Sequence, residues 1–232
     1  MSLLLETVRC NNGLLENIVY HEQRLNRSRK TLFNSKNELS IMQYVPGNQV
    51  PERGLYKCRI IYAEHFMSYE FVPYTSKKIN TIGIVESNSI EYSHKYVNRD
   101  CLQELLFHSG MDEIVIVKNG LITDTSYSNI VFVLEQPVAG DVLRYVTPRS
   151  PLLPGTQRQK LLDENKITER DVAVKDLVNF SGMILINSML LLEESPIIHI
   201  NTLKIDMLTR FRAALVIRSN RAELRLRPFP QG

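Results

Sequence analysis

Residues 113–134 read EIVIVKNGLITDTSYSNIVFVL, and this stretch is the strongest indicator of the fold class. Residues 113–117 and 129–134 are apolar and rich in β-branched side chains, which favours strands. Asn119-Gly120, followed by Leu121-Ile122, is typical of a two-residue hairpin turn. The stretch therefore predicts a hairpin and a further strand, with Asp124 and Asn129 as polar positions between them.

On both sides of this stretch, hydrophobic periodicity predicts further strands with helices between them. The predicted strands are at 3–10, 55–62, 66–74, 81–86, 142–146, 183–186 and 197–200, and the predicted helices are at 18–33, 98–108, 156–164 and 203–219. Residues 147–155 contain three prolines and predict a loop. Strands in both halves with helices interspersed indicate an α+β protein. The polar residues 87–93 predict a boundary between domains at 1–87 and 88–232.

The composition excludes several classes of protein. Of 232 residues, 44% are hydrophobic and 23% are charged, which is ordinary for a globular protein. The net charge of +3 is too small to indicate a nucleic-acid partner, and the arginines between 210 and 227 predict a solvated helix face and tail. The three cysteines form no CxxC pair, no apolar run is long enough to span a bilayer, and Glu6 interrupts any signal peptide. We expect a cytoplasmic protein with no membrane contact and no bound metal.

Familiar catalytic signatures are missing from the sequence. It has no GxSxG elbow, no phosphate-binding GxxxxGK[ST] loop and no GxGxxG motif, and its five histidines lack metal-ligand spacing. The remaining candidates are dispersed polar groups, each weak when taken alone.

Two of these candidates are cationic. His21 and Arg24 share one face of the predicted helix at 18–33, where Arg24 could present its planar fork to a phosphate. Lys95 lies in residues 92–99, YSHKYVNR, where burial or the neighbours His94 and Arg99 could lower its pKa and favour Schiff-base chemistry. Single matches of these kinds are more often a solvated helix face and an exposed lysine.

Three further candidates lie in the second half. Residues 153–158, LPGTQR, lead a glycine loop into a helix, which exposes backbone N–H groups to an anion. Asp124 could face a cofactor nitrogen from its strand, although it could equally be a turn residue. Asn187-Ser188 end the predicted strand at 183–186, where polar residues are common.

The order of these motifs is more specific than any one of them. It resembles the class IV aminotransferase family, the fold-type IV enzymes that use pyridoxal 5′-phosphate. The matching motifs are HxxRL at 21–25, KYVNR at 95–99, TD-x4-N at 123–129, LPGxxR at 153–158 and NS at 187–188. Residues 95–99 and 5–9 (LETVR) are most similar to the aminodeoxychorismate lyase branch.

The resemblance implies a cofactor bound between two domains of an α+β, fold-type IV protein. Lys95 would bind the cofactor covalently and move the substrate proton. Asp124 would pair with the pyridinium nitrogen, at a position where the family usually has Glu. Arg99 would lie near the phenolic oxygen and touch cofactor or substrate.

The resemblance also implies a phosphate site. Arg24 would clamp the phosphate, and the backbone of Thr156 and Gln157 would complete the cup together with Ser188. The family's assembly further implies a homodimer whose partner chain helps to shape the pocket.

The implied reaction converts 4-amino-4-deoxychorismate to 4-aminobenzoate and pyruvate, a step of folate biosynthesis. An amino-acid aminotransferase of the branched-chain or D-amino-acid type remains an alternative, as does an inactive family member that acts as a binding protein. Three departures from the family keep these alternatives open: the first domain is shortened at its start, Leu5 replaces Phe, and Asp124 replaces Glu.

Overall fold

Three β-sheets and three α-helices make up residues 2–135 and 144–205, the part of the chain that this computed structural model describes. The strands are β1 (Leu4–Asn11), β2 (Leu14–Leu15), β3 (Leu55–Tyr62), β4 (Phe66–Pro73), β5 (Ile82–Glu86), β6 (Glu113–Lys118), β7 (Leu121–Thr125), β8 (Asn129–Leu134), β9 (Tyr145–Pro148), β10 (Thr168–Arg170), β11 (Phe180–Ile186), β12 (Ile198–His199) and β13 (Leu203–Ile205). The helices are α1 (Ile18–Phe33), α2 (Asp100–Ser109) and α3 (Thr156–Asp163).

The first sheet has the antiparallel order β2-β1-β3-β4 and packs against α1. Alternate residues of β1 and β3, among them Leu4, Val8 and Ile60, enter one core with Leu25 of α1, as the period-2 pattern of a strand requires. Helix α1 covers the predicted range of residues, 18–33.

The second and third sheets have the orders β13-β5-β6-β7 and β10-β9-β8-β11-β12. The predicted hairpin joins β6 to β7, and its turn residues Asn119 and Gly120 have φ values of 53° and 81°, as a type I′ turn needs. Side chains from β6, β7, β8 and β11 share a single core, so strands of both sheets pack together. The predicted mixture of α and β structure is confirmed.

Two sequence predictions are wrong where the structure describes them. Residues 203–205 form strand β13, parallel to β5, instead of beginning a helix; here pairing with the edge of a sheet outweighs helical periodicity. The rest of that predicted helix, with the arginines between 210 and 227, lies outside the described residues. Thr147 and Pro148 end strand β9 instead of opening a loop, because parallel pairing with β10 extends the strand past the residues that pair with β8.

The division of the chain at residue 87 stays a prediction. Strand β5 ends at Glu86 and pairs in parallel with β6, so residues 82–86 share a sheet with the second half. This pairing favours a boundary within residues 74–81, between β4 and β5, and we propose that position for it.

Candidate active site

One cleft gathers the candidate residues from separate elements. The cleft and the solvent at its mouth together occupy about 540 Å³. Arg24 reaches it from α1, Asp124 from β7 and Thr156 from the start of α3. The residues lining it include Arg24, Tyr92, Lys95, Arg99, Asp124, Ser126, Tyr127, Asn129, Gly155, Thr156, Asn187 and Ser188. Of the seven predicted site residues, only Gln157 is missing from this lining.

Arg24 is held by a buried carboxylate on β1. Its Nε and Nη2 donate to Oε1 and Oε2 of Glu6 at 2.9 and 2.5 Å. His21 lies on the other side of the same carboxylate, with Nδ1 2.6 Å from Oε2. Burial alone would raise the pKa of Glu6, but Arg24 and His21 outweigh it and lower this pKa to about 2. Glu6 is therefore ionised and fixes the orientation of Arg24.

The tautomer of His21 follows from these contacts. Because an ionised carboxylate only accepts hydrogen bonds, Nδ1 of His21 carries a hydrogen atom and donates a hydrogen bond to Glu6. Burial lowers the pKa of His21 and keeps the ring neutral. Nε2 is then an acceptor for the hydroxyl of Thr156, 3.4 Å away on α3. His21 thus links the first sheet to the first residue of α3.

Lys95 lies in a short segment that pairs with β1. The backbone N–H of Leu5 donates to the carbonyl of Lys95 at 2.8 Å, and that of Val97 donates to Leu3 at 2.9 Å. Burial, together with the charges of Arg24 and Arg99, lowers the pKa of Lys95 to about 7, although Glu6 opposes this shift. A large fraction of this amine is therefore unprotonated, and nucleophilic, near neutral pH.

Arg99 contacts the turn between β7 and β8. Its Nη2 donates to the carbonyl of Ser126. Its Nε is buried and has no hydrogen-bond partner among the described residues. This guanidinium therefore retains an unused donor next to the cleft.

Asp124 is buried and accepts two hydrogen bonds. Its Oδ1 accepts from Nδ2 of Asn129 at 2.7 Å, and its Oδ2 accepts from the backbone N–H of Leu153 at 2.9 Å. Burial raises the pKa of Asp124 to about 6, although both hydrogen bonds oppose this rise. The carboxyl group that sequence placed on a strand is thus tied to the loop before α3.

The loop at 153–156 brings backbone into close contact with Asn129. A Cβ atom on Gly155 would lie 2.0 Å from Oδ1 of Asn129, so this position has no room for a side chain. Gly155 precedes α3, and Thr156 begins it, with backbone N–H groups at the positive end of the helix dipole. Gln157 instead turns its side-chain oxygen to Nδ2 of Asn17, 3.1 Å away.

Sequence reasoning missed two residues that assemble the site. Glu6 was recognised only as part of the 5–9 motif, although it is the partner of Arg24. Arg9, of the same motif, donates to both carboxylate oxygens of Glu194 at 2.9 and 3.2 Å and so joins β1 to the second half. The available signal was the presence of two charged residues, three positions apart, in a predicted strand that is otherwise mostly apolar.

The described residues were also compared with what a metal ion or a membrane-spanning helix requires. No group of three or more His, Cys, Asp or Glu residues in 2–135 and 144–205 could hold a metal ion. No helix in those residues is long and apolar enough to cross a membrane.

Comparison with known proteins gives a consistent set of relatives. The sequence profile of the family described as "Amino-transferase class IV" matches residues 87–194. An uncharacterized protein of Haemophilus influenzae is 36% identical over 190 residues, which is 80% of this chain and 97% of that protein.

Solved structures also share the fold. A Haemophilus somnus protein, provisionally assigned as a 4-amino-4-deoxychorismate lyase, has 32% sequence identity and a TM-score of 0.74, covering 83% of this chain and 98% of its own. The pyridoxal-phosphate-bound form of a hypothetical aminotransferase from Mycobacterium tuberculosis has 18% identity and a TM-score of 0.67, covering 94% and 87%. The predicted fold type IV is thereby confirmed.

Proposed function

This chain belongs to the amino-transferase class IV family, and from that premise we propose that it converts 4-amino-4-deoxychorismate to 4-aminobenzoate and pyruvate. The family uses pyridoxal 5′-phosphate, and the chain is an enzyme dependent on that cofactor, a lyase or an aminotransferase. The choice of the lyase reaction is our proposal. It is supported by the KYVNR motif at 95–99 and by similarity to the provisionally assigned lyase of Haemophilus somnus.

The donor set of the cleft fits the cofactor. A phosphorylated pyridine aldehyde needs an unprotonated amine, several donors for its phosphate and a carboxylate for its ring nitrogen. Lys95 has a pKa of about 7, the buried Nε of Arg99 has no partner among the described residues, and Gly155 lines the cleft directly before α3. The single observation that carries the proposal is the convergence of these groups with Asp124 on one cleft.

The phosphate would be held where α1 and α3 meet. Arg24 lines the cleft with its orientation fixed by Glu6, so it can offer its charge at little entropic cost. Thr156 and Gln157 would contribute the N–H groups of the first turn of α3, where an anion is favoured. Ser188 also lines the cleft and would add a hydroxyl.

When bound, pyridoxal 5′-phosphate supplies an electron sink for negative charge at the substrate carbon that bears the amino group. Asp124 would hold a proton on the ring nitrogen, which requires the carboxyl group to be ionised. With a pKa of about 6, Asp124 is mostly ionised at neutral pH. Its shorter side chain, compared with Glu, is positioned by Asn129 and Leu153 from behind.

Lys95 would serve as the proton-transfer group. With the substrate bound, the unprotonated Nζ of Lys95 would take the proton from the substrate carbon that carries the amino group. Loss of this proton and cleavage of the bond between the ring and the enolpyruvyl oxygen would leave the aromatic ring of 4-aminobenzoate. The departing enolpyruvate would take up one proton, which balances the proton held by Lys95, and become pyruvate. Arg99 would bind cofactor or substrate oxygen atoms through its unused donor.

The test is release of pyruvate by the purified protein with its cofactor. We expect pyruvate and 4-aminobenzoate in equal amounts from 4-amino-4-deoxychorismate, and none from the Lys95→Ala variant. Borohydride reduction followed by peptide mapping should label Lys95. Labelling of another lysine would overturn the site assignment, and absence of pyruvate would overturn the reaction.

Amino-acid transamination is the second candidate. The same position of Lys95 would serve it, and the same cleft would hold the cofactor. Transfer of an amino group from a panel of branched-chain and D-amino acids to a 2-oxo acid, without pyruvate release in the lyase assay, would favour this activity. A family member that had lost catalysis would not be expected to keep Lys95, Asp124 and Arg99 together on one cleft. A purely binding role is therefore disfavoured.

We further propose a cytoplasmic homodimer that acts in folate biosynthesis. Large apolar side chains such as Phe107, 81% exposed, and Val178, 78% exposed, would be covered favourably by a second subunit. Sedimentation of the purified protein at several concentrations tests the dimer. A monomer that retains full activity would overturn it.

A further inference from the structure

Glu113 is a buried carboxylate that the proposed reaction does not use. It is the first residue of β6 and is fully shielded from solvent. Its Oε1 accepts from the backbone N–H of Ile114 at 3.0 Å and from that of Ser126 at 2.8 Å. Its Oε2 is buried without a hydrogen-bond partner among the described residues. Burying a carboxylate at such a position is costly, so it calls for an explanation.

The contact with Ser126 connects Glu113 to the cleft. The N–H of Ser126 points to Glu113, and the carbonyl of Ser126 accepts from Nη2 of Arg99. Ser126 itself lines the cleft, as does Arg99. The backbone of Ser126 therefore bridges two side chains: its N–H is bound by the carboxylate of Glu113, and its carbonyl binds the guanidinium of Arg99.

The rest of the turn makes this arrangement stiff. Thr125 donates its backbone N–H to the carbonyl of Ser128 at 2.9 Å, and its Oγ1 accepts the N–H of Ser128 at 3.0 Å. The N–H of Ser126 takes no part in these bonds and depends on Glu113 for its partner. Without that acceptor, a buried N–H group would be unpaired or the turn would shift.

We propose that Glu113 is a positioning residue, which fixes the Ser126 carbonyl and through it orients Arg99 toward cofactor and substrate. The inference rests on the proposed function for the role of Arg99. The positioning itself depends on the chain of two hydrogen bonds. Glu113 touches neither cofactor nor substrate in this account.

The test compares Glu113→Ala with Glu113→Gln in the enzyme loaded with pyridoxal 5′-phosphate. Two quantities are measured: the pH midpoint of the visible absorbance of the bound cofactor, and KM and kcat for 4-amino-4-deoxychorismate. Loss of the acceptor should raise KM about fivefold, the factor expected for one hydrogen bond, and should move the midpoint in the same direction as Arg99→Gln does. Glu113→Gln keeps an acceptor oxygen and should stay close to the wild type.

A double-variant cycle separates positioning from general destabilisation. If Glu113 acts through Arg99, Glu113→Ala combined with Arg99→Gln should be no worse than Arg99→Gln alone. Thr147→Val is the matched control, because it removes another buried hydrogen bond, 2.8 Å to the carbonyl of Ile130. The fold-change in KM caused by Thr147→Val should multiply with that of Arg99→Gln, as expected for independent sites. Thr147→Val should leave the pH midpoint of the cofactor absorbance unchanged.

Two results would overturn the proposal: independent effects of Glu113→Ala and Arg99→Gln, or equal damage from Glu113→Gln and Glu113→Ala. If Glu113→Ala does not fold, Glu113→Asp withdraws the acceptor by one methylene and takes its place in the cycle. The absorbance midpoint needs no substrate. Failure of the lyase assay with a normal midpoint shift would therefore refute the reaction while leaving the positioning role supported.

Discussion

The carboxylate of Glu6 and the guanidinium of Arg24 form a two-pronged ion pair, at 2.9 Å from Nε to Oε1 and 2.5 Å from Nη2 to Oε2. Both side chains are almost completely buried. Strand β1 carries Glu6 and helix α1 carries Arg24, and together they present one oriented cation to the cleft. The pair stabilises the fold, because either partner alone would be an uncompensated buried charge. It also serves cofactor binding, because it fixes the orientation of Arg24 in the cleft.

Glu6→Gln should destabilise the protein and weaken cofactor binding. Removal of one partner from a buried ion pair typically costs about 3–5 kcal/mol, because the remaining charge loses its compensation. Urea denaturation of the cofactor-free protein measures the change in unfolding free energy, and fluorescence titration measures cofactor affinity. Glu70→Gln, in the exposed pair with Arg59, is the matched control and should cost less than about 1 kcal/mol. Equal losses in the two variants would contradict the role of burial.

The same pair should make stability depend on acid. The folded protein holds the pKa of Glu6 at about 2, below its ordinary value of 4.5, so the native state binds this proton less tightly than the unfolded chain. The stabilisation is fully present above about pH 4.5 and is lost as the pH falls toward 2. Asp124 has the opposite effect, because its pKa is raised to about 6 in the folded protein: its contribution to stability falls as the pH rises from about 3.8 to 6. Urea denaturation from pH 7 to 3 measures the free energy of unfolding of the wild type and of Glu6→Gln, and the difference between them isolates the contribution of Glu6. A difference that does not change with pH would refute this prediction.

Lys95 should bind the cofactor aldehyde with a rate that rises as the pH passes about 7. Only the unprotonated amine is nucleophilic, and burial with the charges of Arg24 and Arg99 sets its pKa. Arg99→Gln removes one of these charges and should move the midpoint to higher pH. Stopped-flow absorbance after mixing the cofactor-free protein with pyridoxal 5′-phosphate measures the profile. Arg149→Gln, at an exposed pair with Asp171, should leave the midpoint unchanged, and a midpoint near 10 in the wild type would contradict the lowered pKa.

The sequence predicted the local elements of the site better than its couplings. Helix α1 and the Asn119-Gly120 turn follow from periodicity and from residues that tolerate positive φ, which are local properties. The pairing of the Lys95 segment with β1 depends on contacts between residues 90 positions apart. Single-sequence reasoning has no term for such contacts, so the role of Glu6 as the partner of Arg24 was missed.

The errors have the same origin. Residues 203–205 carry a pattern compatible with a helix, but they pair as a strand with β5, which is about 120 positions earlier in the chain. The tie between Asp124 and Leu153 likewise joins a strand to a loop through tertiary packing. Propensity is local, and these outcomes are decided by burial and by satisfaction of buried hydrogen-bonding groups.

Gly155→Ala should damage both folding and cofactor affinity. The added Cβ would lie 2.0 Å from Oδ1 of Asn129, so Asn129 or the loop must move. Overpacking of this kind costs about 1–3 kcal/mol, and the displaced N–H groups before α3 would bind phosphate less well. Urea denaturation and a cofactor titration measure the two effects. Gly47→Ala is the control, because no atom of the described residues lies within 4 Å of its Cβ position. An unaffected cofactor affinity in Gly155→Ala would argue against a phosphate site here.

Asp124→Asn should lower kcat by at least about 100-fold, with a smaller loss of stability. The substitution removes the negative charge that would hold the proton on the ring nitrogen, which is an interaction needed for the electron sink. Two donors, from Asn129 and Leu153, point at the carboxylate, so an amide there must turn its own NH2 toward one of them. That mismatch should cost about 1–3 kcal/mol.

The charge and the shape of Asp124 can be separated by two further variants. Asp124→Glu keeps the charge but adds a methylene in a buried place, so it should retain more activity than Asp124→Asn while losing stability. Asp163→Asn changes an exposed carboxylate on α3 and should alter neither quantity. Steady-state kinetics and urea denaturation of all three provide the comparison. Wild-type kcat in Asp124→Asn, with a normal spectrum of the bound cofactor, would show that the ring nitrogen does not depend on this carboxylate.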